Sequence, residues 1–232
     1  MAKTSKAMKK SYEAVDRNTV YSITDAVKTL KSSAKGRKFD EQIEIAINTS
    51  ADPKHADQIV RGTIELPHGT GKTVRVAVMA VDAKADEAKA AGADIVGSDE
   101  LADMIKAGDM NFDRLIATPD MMPKVGQLGK ILGPKGMMPN PKLGTVTMDI
   151  KKAVESAKAG SLEYRAEKAG IIHAGLGRAS FDEAKIVENV VAFITTIRKA
   201  RPAGVKGTYI NKITLTSTMG PGIKIDLESL AA

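Results

Sequence analysis

The chain has 232 residues, 43% hydrophobic and 27% charged, ordinary values for a globular protein of one large or two smaller domains. It contains no cysteine, which excludes disulfides, thiolate catalysis and cysteine-ligated metals, and no run approaches the ~20 apolar residues that span a bilayer. Net charge is +7, yet residues 1–10, 120–142 and 198–212 carry +4, +3 and +5, which leaves the rest at −5; basic charge concentrated in this way is the electrostatic footprint of a nucleic-acid binder.

The N-terminal MAKTSKAMKK is basic with no apolar stretch behind it, so it does not read as a secretory signal. SITDAVKTL at 22–30 predicts a helix with Ile23, Ala26, Val27 and Leu30 on one face. KFDEQIEIAIN at 38–48 predicts a strand opened by Lys38 and Phe39, with Ile43, Ile45 and Ile47 on one side. LPHGTGK at 66–72 is a glycine-bearing crossing. Three short apolar strands follow, VRVAVMAV at 74–81, DIV at 94–96 and RLIAT at 114–118. Helices separate them, one capped by Asp82 and ended by Gly92, one capped by Ser98 and ended by Gly108, one opened by Thr118 and Pro119. A further helix runs from Asp149 to Gly160, and AKAGS at 157–161 is the second crossing. LEYRAE at 162–167 alternates Leu162, Tyr164 and Ala166 against Glu163, Arg165 and Glu167. FDEAKIVENVVAFITTIRKA at 181–200 predicts a helix with Val187, Val190, Val191, Ile194 and Ile197 inward and a cationic last turn. KITLTSTM at 212–219 is a third alternating strand.

Alternating strands belong to sheets with one face on a core and one free, and they cluster near the two chain ends. Near-continuous apolar strands alternating with helices mark a parallel α/β unit. The expected architecture is therefore an α+β domain built from both ends, residues 1–67 and 160–232, interrupted by an inserted α/β domain at 68–159. Hinges are expected near 66–72 and 157–161, with Gly69, Gly71 and Gly160 as pivots.

GQLGKILGPKGMMPNPKLG at 126–144 holds five glycines, three prolines, three lysines and no acid. It reads as a loop stiffened by proline, with a tight turn at GPKG and an extended Asn140 before Pro141. Its lysines Lys130, Lys135 and Lys142 favour an anionic partner. PHGTGKT at 67–73 imitates a phosphate loop, but Leu66 stands where the pattern needs glycine, and a strand follows where a helix must open. A nucleotide hydrolase using residues 69–73 is thus the weaker alternative, and a hinge the stronger one. His55, His68 and His173 have no metal-ligand spacing, and no catalytic arrangement is recognisable, so neither catalytic nor metal residues are expected. TSTMGPG at 216–222 brings hydroxyls, a bare backbone and Met219 to one turn, which suits phosphate, 2′-hydroxyl or base contact; it is equally a hairpin turn. Phe39 is open to both a contact and a core role. Aromatic residues are only 3%, too few to stack a long single strand, so an RNA partner would be read by backbone and folded shape.

KFDEQIEIAIN, RGTIELPHGTGKT, QLGKILGPKGMMPNPKLGTVT, EYRAEKAGIIHA and TSTMGP, in this order over nearly the whole chain, resemble the bacterial large-subunit ribosomal protein L-one family. The resemblance implies a split β-α-β domain built from both ends and an inserted three-layer, Rossmann-like α/β domain without a dinucleotide. It implies a cytoplasmic, ribosome-bound, non-enzymatic protein with no cofactor and no small-molecule substrate. Such a protein binds 23S rRNA, forms the mobile stalk near the tRNA exit site and aids release of deacylated exit-site tRNA. It also represses its own operon through the operon mRNA. Carried residue by residue, the RNA-binding positions are Lys38, Phe39, Glu44, Arg165, Lys168, Thr216, Thr218, Met219 and Gly220, with Lys130, Lys135 and Lys142 as secondary contacts.

Overall fold

The computed structural model describes residues 6–16, 19–35, 37–81 and 83–227. Lys3 and the capping residue Asp82 lie outside the described residues. In chain order the elements are α1 (Lys6–Glu13), α2 (Ile23–Ala34), β1 (Gln42–Thr49), β2 (Arg61–Glu65), β3 (Val76–Met79), α3 (Ala83–Ala90), β4 (Ile95–Gly97), α4 (Asp99–Ala107), β5 (Arg114–Ala117), α5 (Met122–Gln127), α6 (Gly129–Leu132), α7 (Ile150–Lys158), β6 (Ser161–Arg165), β7 (Ile171–Arg178), α8 (Glu183–Lys199), β8 (Ile210–Ser217) and β9 (Ile223–Ile225). Short 3-10 turns stand at Ala56–Gln58, Pro119–Met121 and Pro141–Leu143. The fold is mixed α/β with several sheets. The chain divides into two compact units, one of residues 1–71 and 162–232, the other of residues 72–161.

The first unit is built on a four-stranded antiparallel sheet of order β7-β1-β8-β9. Period-two alternation decides its two faces. Ile43, Ile45 and Ile47 of β1 and Ile213 and Leu215 of β8 are buried, while Glu44, Asn48, Thr214 and Thr216 face outward, exposed or half-buried. α2 rests on β8 and β9, α8 on β7, and the two helices touch each other. α2 starts where expected because the Ser22 hydroxyl accepts from the Asp25 N–H at 3.2 Å, and its buried face is Ile23, Ala26, Val27 and Leu30. β2 and β6 form a separate two-stranded sheet, whose Tyr164 meets Phe193 of α8 edge to face at 5.9 Å.

Of the aliphatic residues expected inward on α8, Val190, Ile194 and Ile197 are buried and Val187 packs partly on the same core, while Val191 turns outward. Its buried residues are Ile186, Asn189, Val190, Phe193, Ile194 and Ile197, and Val191 is 42% exposed. The stripe is centred on Phe193 and includes a polar residue because Asn189 has three backbone partners waiting. Its Oδ1 accepts from His68 N–H at 3.1 Å, and its Nδ2 donates to Gly69 O at 3.0 Å and Leu176 O at 2.8 Å.

Burial also acts on Tyr209, pushing its phenol up to about 12, with Tyr164 adding to the shift. The fold therefore holds the neutral phenol. That stability is complete below the ordinary tyrosine value of about 10 and is lost as pH rises through about 12. Phenolate absorbance during alkaline titration should show Tyr209 ionising near 12 as the first unit unfolds. Ionisation of all four tyrosines near 10 in a folded protein would contradict this.

The second unit has a parallel sheet of order β4-β3-β5. All four residues of β3 are fully buried, as a strand covered on both faces requires. Ala77 and Met79 enter a cluster with Leu101, Ile105 and Leu128, whereas Val76 and Val78 enter another with Ala88, Ile150 and Val154. The sheet is thus the middle of three layers. Asp94 fixes the start of β3, accepting from Val76 N–H at 2.8 Å. That bond, with the nearby Lys158 ammonium, holds its carboxyl below the usual carboxylate range. Ser98, Thr118 and Asp149 stand at N-cap positions, but none caps with its side chain.

Residues 126–144 are more ordered than a proline-stiffened loop. α5 ends and α6 lies inside this stretch because Leu128 and Leu132 are buried in the core of the second unit. The GPKG turn then closes through Gly136 N–H to Gly133 O at 3.0 Å and Met137 N–H to Leu132 O at 3.1 Å. This paired termination needs the left-handed backbone that Gly136 adopts, φ 72°. Asn140 is extended, and its side chain accepts from Lys142 N–H at 2.9 Å. Among the described residues no helix is long and apolar enough to cross a membrane.

Candidate nucleic-acid interface

Residues 38–41 do not extend the β1 ladder. Lys38 and Phe39 were expected to open the strand, but it begins at Gln42. The reason is that this segment spends its polar groups elsewhere. Asp40 accepts from Ser180 N–H at 3.0 Å and Ser180 Oγ at 2.7 Å, and its carbonyl accepts from Arg178 Nη1 at 3.0 Å. Glu41 O accepts from Ala179 N–H at 2.8 Å. The segment is thereby held as a fixed bend with Lys38 exposed and Phe39 51% exposed. Phe39 is not a core anchor.

A second turn meets this bend. β8 ends at Ser217, and Gly220 N–H returns to Ser217 O at 3.0 Å. A Cβ on Gly220 would meet Ser217 Oγ, so a side chain there would require that hydroxyl to turn away. The turn leads into β9, so the hairpin reading of TSTMGPG holds as well. Thr218 and Gln42 are joined twice: Thr218 N–H donates to Gln42 O, and Gln42 N–H donates to Thr218 Oγ1, both at 3.0 Å. Met219 stands at the tip, 45% exposed. Two large apolar side chains, Phe39 and Met219, are therefore left in water by elements that are themselves tightly hydrogen-bonded.

The sheet continues the surface. Glu44 pairs in register with Thr216 of β8 on one side and Gly175 of β7 on the other. Gly175 has no room for a Cβ because the Gln42 amide lies across it. The hydroxyls of Thr216 and Thr218 already have partners inside the protein. Thr216 Oγ1 donates to Ser217 O at 3.0 Å, and Thr218 Oγ1 accepts from Gln42 N–H. They hold the turn's shape, a role the sequence pattern does not reveal.

Seven candidates, Lys38, Phe39, Glu44, Thr216, Thr218, Met219 and Gly220, thus gather at one end of the sheet. Arg165 and Lys168 lie toward the other end. Both line an open cleft with Ala166, Glu167 and Ala169, at the turn that precedes β7. β7 starts at Ile171 opposite Asn48, four residues along β1 from Glu44, or about 13 Å. Gly170 closes that turn at φ 74°, where a Cβ would come within 2.5 Å of Ala51 O. Lys130, Lys135 and Lys142 belong to the second unit and are all exposed.

Gly69, Gly71 and Gly160 lie at the two crossings with φ of 63°, 70° and 95°. Gly71 leads into β3, with no helix N-terminus to gather phosphate, so residues 69–73 form no phosphate cradle. His68 pairs with Glu188, and His173 with Glu167 at 3.3 Å, both at the surface.

Sequence reasoning missed Asp40, Glu41 and Asn189, which shape the bend and the first crossing. Glu41 was legible in principle: it stands two residues before Ile43, on the inward side of the alternation, where a carboxylate is out of place. The model of a family described as "Ribosomal protein L1p/L10e family" matches residues 30–221, most of the chain and all of the surface built above.

Proposed function

This chain belongs to the ribosomal protein L1p/L10e family, a family of non-enzymatic structural proteins of the ribosome that bind rRNA, and on that premise we propose that the bend at 38–41 and the turn at 216–220 make the main contact with 23S rRNA. The carrying observation is the exposure of Phe39 and Met219 on a hydrogen-bonded frame. Rigid apolar groups in water, ringed by Lys38, Glu44 and two threonines, suit a folded RNA whose ribose and base edges are presented in a fixed geometry. Glu44 fits this role as an acceptor for a 2′-hydroxyl or base amine. Arg165 and Lys168 extend the contact along the backbone, and Lys130, Lys135 and Lys142 make a secondary one.

The unit formed by both chain ends is read as a split β-α-β domain and the other as an inserted Rossmann-like domain that holds no dinucleotide. Gly69, Gly71 and Gly160 are its hinge points. On the ribosome the protein would form the mobile stalk near the tRNA exit site and aid release of deacylated tRNA. It would also repress its own operon by binding a similar site in the mRNA. A cytoplasmic location follows from these roles.

A salt titration of 23S rRNA binding tests the electrostatic part. With Lys38, Arg165 and Lys168 on phosphates, the slope of log K against log salt is expected near about −3. An affinity that stays flat over the titration would remove phosphate contact from the account.

A further inference from the structure

The inward rows of β1 and β8 change character at one end of the sheet. Beyond Ile43 stands Glu41, 1% exposed, and beyond Leu215 stands Ser217, 2% exposed. A carboxylate in an apolar row is costly unless its charge is met. Glu41 is met from two segments. Arg37 Nε lies 3.2 Å from its Oε1, and the Met219 N–H reaches its Oε2 at 3.4 Å. Arg37 extends further, to Ser11 Oγ at 3.5 Å. Oε1 makes an ion pair but no hydrogen bond, and Ser217 Oγ makes none. A buried group with spare acceptor capacity, held by one arginine and one backbone amide, is a poor way to stabilise a core. It is a direct way to fix where that amide sits.

That amide belongs to Met219, and Phe39 lies two residues before Glu41. We propose that the pair of buried Glu41 and half-buried Arg37 is a positioning device for RNA recognition: it ties the Met219 backbone to the 38–41 bend, so that Met219 and Phe39 are presented in a fixed relation before RNA arrives. The proposal rests on the reading of 38–44 and 216–220 as the rRNA contact. Glu41 is sealed from solvent and touches no RNA itself. Its effect is preorganisation, which raises affinity by reducing the ordering that binding must impose.

The full chain is tested as Glu41→Ala, Glu41→Gln and Met219→Ala, at a temperature where circular dichroism shows each variant folded. 23S rRNA affinity is measured together with amide hydrogen exchange at Met219, Gly220 and Leu215. Glu41→Ala is expected to weaken binding about tenfold, with an unchanged salt slope because no phosphate contact is lost. Exchange should quicken at Met219 and Gly220 and stay the same at Leu215. Glu41→Gln keeps an acceptor for the Met219 N–H and should limit the loss to about threefold. Folded Glu41→Ala within about twofold of wild type, or Glu41→Gln no better than Glu41→Ala, overturns the proposal. Should Glu41→Ala not fold, Glu41→Gln decides alone: threefold weaker binding with faster exchange at Met219 supports the device, and wild-type affinity overturns it. Wild-type affinity in Met219→Ala would instead sink the rRNA-contact reading beneath it.

Discussion

Met219→Ala is expected to weaken binding to 23S rRNA by about 3- to 10-fold, while Lys135→Ala changes it by about twofold or less. The first figure follows from a methionine side chain that is 45% exposed in the free protein: covering that remainder with RNA is worth about half of full burial, about 0.7–1.4 kcal/mol. The second follows from an exposed lysine on a surface turn, where a single screened charge contributes about 0.4 kcal/mol or less. Thr218→Val should fall with Met219→Ala, but for a mixed reason. Its hydroxyl accepts the Gln42 N–H, so the valine both removes an oxygen from the contact surface and loosens the bend. Met219→Ala leaves the backbone bonds of the turn in place and is the cleaner probe. Equilibrium binding of the three variants, compared at one salt concentration, ranks the two surfaces. A larger loss for Lys135→Ala than for Met219→Ala would move the main contact to residues 126–144.

Asn189→Leu is expected to lower the stability of the first unit by about 3 kcal/mol. Asn189 is fully buried on α8 and satisfies Leu176 O, Gly69 O and His68 N–H at once. Leucine is close in shape but leaves Leu176 O without this partner in the interior and Gly69 O and His68 N–H without it at half-buried positions, and each such loss costs about 1–3 kcal/mol before relaxation. Urea denaturation should show the lower midpoint. Limited proteolysis should show faster cleavage near 68–70, because the start of the crossing would no longer be held to α8. A stability within about 0.5 kcal/mol of wild type would mean that water takes over these bonds and that Asn189 is not the clasp of this segment.

Much of the architecture could be read from the chain. The strand of three isoleucines, Ile43, Ile45 and Ile47, the face of α2 and the parallel strand at 76–79 follow from periodicity alone, because burial on one face or on both leaves a regular trace. What was not legible depends on partners distant in sequence. Nothing local says that Asp40 takes its bonds from Ser180, so the sequence reads as a strand from Lys38. Nothing local says that Asn189 is the inward residue of its turn rather than Val191, since its partners lie at 68–69 and 176. Residues 126–144 read as loop from their glycine and proline content, yet Leu128 and Leu132 are buried deeply enough to hold a helical turn between the glycines. Of the proposed contact surface, the 216–222 turn with its hydroxyls and Met219, and the choice between contact and core at Phe39, were legible from the residues; Glu44, Arg165 and Lys168 came only with the family resemblance. Their geometry, with seven at one end of the sheet and Arg165 and Lys168 about 13 Å along it, comes from strand register.

The central claim is that the 38–44 and 216–220 segments make the main rRNA contact and residues 126–144 only a secondary one. Amide hydrogen exchange of the whole chain, free and bound to 23S rRNA, addresses it without any substitution. The account predicts new protection concentrated at residues 38–44 and 216–220, with smaller effects at 165–168 and 126–144. Protection confined to residues 126–144, with 38–44 and 216–220 exchanging as in the free protein, would contradict it.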